Sequence, residues 1–177
     1  VSDAGLITSV ALGSASVTAT SGTVSATATV TVAQAAASIE LSETAGTLTA
    51  LGDTVTVTAT VKDASGNVIA NPTVSWASSD ATIATVSDVG LITAVANGTA
   101  TVTATSGEFT ATAAVTVTQV PASIVLSDTT ATAHSLGDTA TVTATVKDSG
   151  GYVIVNPTVS WTSSDTTVVT VSSVGLL

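Results

Sequence analysis

Few side chains in this chain could do chemistry, and their spacing argues against most of it. The one imidazole is His134, and there is no cysteine. A metal pair needs a second His or Cys at ligand spacing, and a nucleophile needs a base held beside it. Neither is present, so no catalytic residue, no cofactor-binding residue and no metal ligand is assigned. His134 is expected in a solvated loop. Oxygen ligands for calcium are the better candidates. Asp63-Ala64-Ser65-Gly66-Asn67 arranges oxygens around a glycine, but it lacks the acidic residues that complete a calcium loop. The competing reading is a five-residue hairpin loop with an Asx turn. Asp53 and Asp138 each follow Leu-Gly and read as turn residues before a strand. Glu40 and Glu43 lie near a linker, where calcium held between neighbouring domains is the remaining cofactor reading. Asn97-Gly98-Thr99 matches the N-glycosylation sequon, and it equally fits an Asn-Gly turn. Tyr152 is the aromatic expected at the surface, where a sugar ring would stack.

Charge narrows the partners. Twelve carboxylates face Lys62 and Lys147, for a formal net charge of −10. Nucleic acid requires clustered Lys and Arg, and an anionic membrane surface repels such a chain. The carboxylates are scattered singly, which reads as solubility and mutual repulsion. No apolar run approaches the roughly 18 residues of a membrane-spanning helix. The start at Val1, without Met or signal peptide, is read as the start of a mature fragment or of a piece of a longer chain.

The elements that must position these residues are strands. Charged residues make up 8% of the chain, where about a quarter is usual. Threonine contributes 38 residues and, with Val, Ala and Ser, dominates the composition. β-branched side chains suit a pleated strand and lose rotamer freedom in a helix. In Thr54 to Lys62, Val55, Val57, Ala59 and Val61 alternate with threonine or lysine, which is the pattern of a half-buried antiparallel strand. Thr99 to Thr103 repeats it, and Phe109, Ala111, Ala113, Val115 and Val117 mark another inner face. Shorter strands are expected at 38–41, 68–70, 73–78, 82–86 and 91–95. Turn residues fall between them: 63–67, Asp88-Val89-Gly90, Asn97-Gly98 and Ser106-Gly107. Seven to nine short strands with regular turns describe a β-sandwich. Trp76 and Trp161 are expected to fill the space between its sheets, so that Trp76→Ala would cost about 3–5 kcal/mol.

The same text recurs. Val1-Ser2-Asp3-Ala4-Gly5-Leu6-Ile7-Thr8 returns from Val86 to Thr93, and Asn71-Pro72-Thr73-Val74-Ser75-Trp76 returns from Asn156 to Trp161. Residues 1–85 and 86–170 share 57 identities over the 85-residue period without a gap. Solenoid repeats run about 20–45 residues, so this period has the size of a small autonomous domain. Linkers should lack alternation, as do Ala33-Gln34-Ala35-Ala36-Ala37 and Thr118-Gln119-Val120-Pro121-Ala122. Three segments follow: 1–33, the last strands of a preceding repeat; 34–118, a complete domain; and 119–177, the first two-thirds of a following repeat. Residues 119–177 and 1–33 would together complete a domain. The chain then reads either as an excerpt of a long covalent array or as a subunit that completes its neighbour by strand exchange. The intact mass, 16.9 kDa for this chain, separates the two.

The strings Val74-Ser75-Trp76-Ala77-Ser78-Ser79-Asp80, Ala84-Thr85-Val86-Ser87, Gly90 to Ala96, Gly98 to Ala104 and Thr112 to Val117 are motifs of a known kind. So are Ala37 to Ser42 and Leu51-Gly52-Asp53-Thr54. Together they resemble the bacterial immunoglobulin-like domain, group 2, of intimin- and invasin-type tandem repeats. The resemblance implies an all-β fold of tandem immunoglobulin-like sandwiches, with no catalytic residues. It also implies extracellular display at the cell surface, as a stalk, spacer or fibre of an adhesin. The expected partners are neighbouring copies of the same domain, head to tail. A filament subunit and a carbohydrate- or protein-binding adhesive module are the alternatives. A replicated binding site would place the same exposed group in both repeats, yet Asn67 faces Tyr152 and Thr49 faces His134 in the alignment. That drift suits a scaffold.

Overall fold

The computed structural model describes residues 4–177; residues 1–3 of the recurring opening string lie outside it. None of the described residues is helical, as alternating threonine and valine require. The strands are β1 (Gly13–Ser21), β2 (Val24–Val32), β3 (Ser38–Leu41), β4 (Ala45–Leu48), β5 (Thr54–Thr56), β6 (Ala59–Lys62) and β7 (Ser75–Ser78). They continue with β8 (Ala84–Val86), β9 (Leu91–Ala94), β10 (Gly98–Ser106), β11 (Phe109–Val117), β12 (Ser123–Leu126) and β13 (Ala144–Lys147).

Strands β3 to β11 build a sandwich. One layer is a four-stranded sheet in the order β4-β11-β10-β7, and facing it are β5-β9-β8 and the pair β3-β6. The long hairpin β10–β11 anchors the first layer. Its register runs from Gly98 opposite Val117 to Ser106 opposite Phe109. It closes through Gly107, whose φ of 61° a two-residue turn needs at its first position. The alternation read in the sequence sorts its side chains: Ala100, Val102, Ala104, Ala113, Val115 and Val117 are buried, while the threonines face out. Ile92 and Ala94 of β9, Ala84 of β8 and Leu48 of β4 close the core from the other sides. Each fully buried valine or isoleucine contributes about 1.5–3 kcal/mol, well above the single exposed ion pair of this region, Lys62–Glu40 at 2.7 Å, worth at most about 1 kcal/mol.

Four points differ from the expectation. No strand forms at 68–70, where Val68 makes only an isolated antiparallel bridge to Lys62. The strand expected from Thr54 to Lys62 is broken at Val57 and Thr58. Thr54–Thr56 pairs with β9, whereas Ala59–Lys62 pairs with β3. Between them the Val57 N–H donates to the Gly90 carbonyl, and Thr58 exchanges hydrogen bonds with Ser42. A strand that changes partner sheets cannot keep one ladder, although its inner face of Val55, Val57, Ala59 and Val61 survives. The parallel strand β4 was not expected, because Ala45-Gly46-Thr47-Leu48 shows no alternation; it is held by β11 from Ala114 to Val117. Phe109 sits at the hairpin tip and is 38% exposed, beyond the reach of the facing strands.

Trp76 is half-buried and touches both core clusters, one around Ile92 and Val102 and the other around Ile39 and Val61. It spans the sandwich as expected. Gly90 lies against it. A Cβ there would stand 2.9 Å from the indole Cζ2 and would collide with the Val57 carbonyl oxygen, at a φ of +76°. Gly175, Trp161 and Val142 reproduce the arrangement 85 residues on.

Outside 38–117 much of the same pattern lies open, although Val142 and Val146 are buried. Hairpin β1–β2 pairs from Gly13 opposite Val32 to Ser21 opposite Val24, yet its apolar face is largely exposed. Ile39 is 9% exposed, whereas Ile124 on β12 is 56% exposed. The difference is cover: Ala104 and Ala111 of the long hairpin lie over Ile39.

Two substitutions test this core by chemical denaturation. Trp76→Ala is expected to cost about 3 kcal/mol. Gly90→Ala is expected to cost about 1–3 kcal/mol from the left-handed backbone alone, with the clash added. Unchanged denaturation midpoints for both variants would contradict the placement of the Trp.

Candidate functional site

Most of the polar residues singled out by their chemistry lie in loops, with Glu40 on β3, and the aspartate oxygens are engaged by nearby amides. The Asp63 loop is closed by Asp63 N–H to the Asn67 carbonyl and Gly66 N–H to the Asp63 carbonyl. Its carboxylate accepts Ser65 N–H and Asn67 N–H on Oδ1, at 3.0 and 2.9 Å. Gln34 Nε2 donates to Oδ2 at 3.0 Å. The side-chain bond from Gln34 and the backbone bond from Asn67 hold this carboxyl below the usual range against the opposing effect of burial. That is an Asx-turn geometry, in which the oxygens are aimed at the protein's own amides. Asp53 accepts the N–H groups of Thr49 and Ala50, and Asp138 accepts those of His134 and Ser135. His134 is thus fixed through its backbone in an exposed loop. Glu40 pairs with Lys62. Among the described residues no group of three His, Cys, Asp or Glu is arranged to hold a metal ion.

The residues that come together instead form a joint. Asp148, the counterpart of Asp63, is 2% exposed. Its Oδ2 accepts Leu51 N–H at 2.9 Å and Gln119 Nε2 at 2.9 Å, and its Oδ1 accepts Tyr152 N–H at 2.9 Å. Gln119 is the hub. Its N–H donates to Asn97 Oδ1 at 2.7 Å, and its Oε1 accepts Asn97 Nδ2 at 3.1 Å. The loop 148–152 therefore grips the Leu51-Gly52-Asp53 turn of the β3–β11 sandwich. The Tyr152 ring lies on Gly52, 3.5 Å from where a Cβ would stand. Tyr152, expected at the surface, is 51% exposed while part of its ring lies on Gly52, and the Asn97 side chain is hydrogen-bonded to Gln119. At this joint neutral amides meet one buried carboxylate.

Sequence reasoning missed this joint. One signal pointed to it: Gln34 and Gln119 recur at the same place in linker strings that differ at three of five positions. The contact itself joins residues 97 positions apart, Leu51 and Asp148, and no local pattern announces that.

Burial pushes the Asp148 carboxyl up, but hydrogen bonds from the Gln119 side chain and the amides of Leu51, Tyr152 and Gly150 outweigh it, and the net direction is down. A carboxylate depressed in the folded state stabilises above its unfolded pKa, and that contribution is lost as pH falls through the folded one. The Leu51 amide should therefore resist hydrogen exchange at neutral pH and lose protection only in acid below the ordinary carboxylate range. In Asp148→Ala it should exchange freely at every pH. Equal protection in both proteins would count against the joint.

Residues 73–119, which run from β7 to β11, match the family model Big-like, a bacterial Ig-like domain. No curated protein matches the chain. Solved structures similar to it include surface layer protein SbsC, domains 1–6, at 24% identity over 81% of this chain and 20% of that one, with a TM-score of 0.46. Domains 4–9 of the same protein are 25% identical over 81% of this chain and 25% of theirs, at 0.45. Domains 4 and 5 are 29% identical over 60% and 58%, at 0.43. The chain spans only 20% and 21% of the first two such structures. The stretch from β7 to β11, residues 73–119, is thus similar to a bacterial Ig-like domain.

Proposed function

We propose that this chain is a non-enzymatic extracellular structural repeat, a spacer or stalk segment whose units follow one another head to tail. One observation carries the reading: the joint at Asp148, where residues 119–152 grip the Leu51 turn through a buried, fully hydrogen-bonded carboxylate. A flexible string of binding modules has no use for such a joint, whereas a spacer needs its units held at a fixed angle. The proposed unit is 34–118, with 1–33 and 119–177 belonging to its neighbours. The loop carboxylates serve as turn ligands, and the outer faces are threonine, which offers neither a nucleophile–base pair nor a stacking surface.

Spin labels on Thr101→Cys and Thr145→Cys, two exposed strand positions on either side of the joint, test it. A single narrow distance distribution in solution is expected. A broad distribution would sink the spacer reading.

A second reading is favoured by the open face of β1–β2. Ala19 and Ala26 occupy the positions of Ala104 and Ala111, which cover Ile39. The hairpin of one copy is thus shaped to cover Ile124 of another and make a filament by strand exchange. On this reading Ala19→Asp abolishes concentration-dependent assembly in sedimentation velocity and leaves the melting of the β3–β11 sandwich unchanged. Assembly that survives the aspartate rules the exchange out.

A further inference from the structure

The two loops that recur 85 residues apart are not equivalent, and their differences fall where the joint is tightest. Asp63-Ala64-Ser65-Gly66-Asn67 corresponds to Asp148-Ser149-Gly150-Gly151-Tyr152. The turns themselves agree. Asp63 N–H reaches the Asn67 carbonyl as Asp148 N–H reaches that of Tyr152, both at 2.9 Å. Gly66 and Gly151 share a left-handed φ, 81° and 84°, so glycine at that position is demanded by the turn.

Gly150 is different. Its backbone lies outside the left-handed region, and nothing in its own conformation requires glycine. What requires it is the neighbour. A Cβ on Gly150 would stand 2.7 Å from the Leu51 carbonyl oxygen, closer than side chains approach a backbone atom. The counterpart of Gly150 is Ser65, which carries that Cβ. Two positions on, Tyr152 lays its ring over Gly52, where Asn67 offers only a short amide. Asn67 instead folds back on its own loop, its Nδ2 lying 3.3 Å from both Asp63 oxygens.

We infer that the residues at Gly150 and Tyr152 decide whether this loop accepts the Leu-Gly-Asp turn of a preceding repeat in close contact. The inference rests on the spacer reading and deepens it. The partner is the turn Leu51-Gly52-Asp53, recognised through one backbone N–H, one carbonyl brought close and a bare glycine face. The acceptor is common to both loops: Asp63 Oδ2 takes Gln34 as Asp148 Oδ2 takes Gln119. The Asp is therefore not what distinguishes them. A loop of the Ser65–Asn67 kind keeps the carboxylate and the glutamine but holds the same turn farther off. An array mixing the two loop types would have stiff joints and yielding ones, with stiffness written in two residues.

Gly150→Ser tests this in the full chain, because its backbone accommodates a side chain without strain. The Thr101/Thr145 spin-label distribution is expected to broaden, and Leu51 amide exchange to rise roughly tenfold or more, the effect expected of losing a charge-assisted hydrogen bond. Melting of the β3–β11 sandwich should stay unchanged. Tyr152→Asn should act in the same direction, and Tyr152→Phe, which keeps the ring, should restore the narrow distribution. A narrow distribution and slow Leu51 exchange in Gly150→Ser would overturn the inference. So would loosening by Tyr152→Phe equal to that by Tyr152→Asn. If the unsubstituted chain is already broad, the spacer reading fails first and the two failures are told apart.

Discussion

The core of this protein is made from side chains that are individually too small to close it. Alanine and valine supply most of the buried positions, from Ala84 and Ala94 to Val102, Val115 and Val117. Such residues exclude water only when a second sheet lies close against the first over its whole width. The long hairpin β10–β11 meets that condition because β3, β4, β5, β8 and β9 surround it. Hairpin β1–β2 has nearly the same sequence and the same register, but no facing layer among the described residues, and its alanines and valines are exposed or half-exposed. Identical alternation thus gives a core in one place and an open face in the other. Trp76 bridges the two clusters of small side chains, and Gly90 makes room for it.

The same economy of size shapes the loops. With few charges, the chain uses carboxylates as turn organisers. Asp80 caps its own loop through the Thr82 hydroxyl and N–H, and Asp165 does so through Thr167. Asp53 and Asp138 each gather two amides. An oxygen that accepts a backbone N–H fixes the loop's shape. Asp148 goes one step further, since one of its donors belongs to the neighbouring sandwich. A turn organiser becomes a joint when a second surface brings an amide to the same carboxylate.

Much of the architecture was legible because strand alternation is a local signal with a period of two. The inner faces of Thr54–Lys62, of Thr99–Thr103 and of Ala111–Val117 were read correctly from that period alone. The break at Val57 and Thr58 was not, since both halves keep the same alternation and only the identity of the partner strand changes. Strand β4 carries no alternation because its pairing, parallel to β11, is imposed by the neighbour. Phe109 follows the right face, but the end of the facing layer is a tertiary fact.

By itself the sequence determined strand faces, turn positions, the 85-residue recurrence and the poverty of catalytic groups. Each of these depends on residues close in the chain or on plain counting. Only the tertiary structure decided which apolar faces are covered, where a strand changes sheets, and that Asp148, Gln119 and Leu51 meet. Those outcomes depend on contacts between distant segments, whose free energy comes from excluding water and pairing buried polar groups. Gly150 shows the boundary well: the sequence records a glycine, while the reason for it is the Leu51 carbonyl of the β3–β11 sandwich.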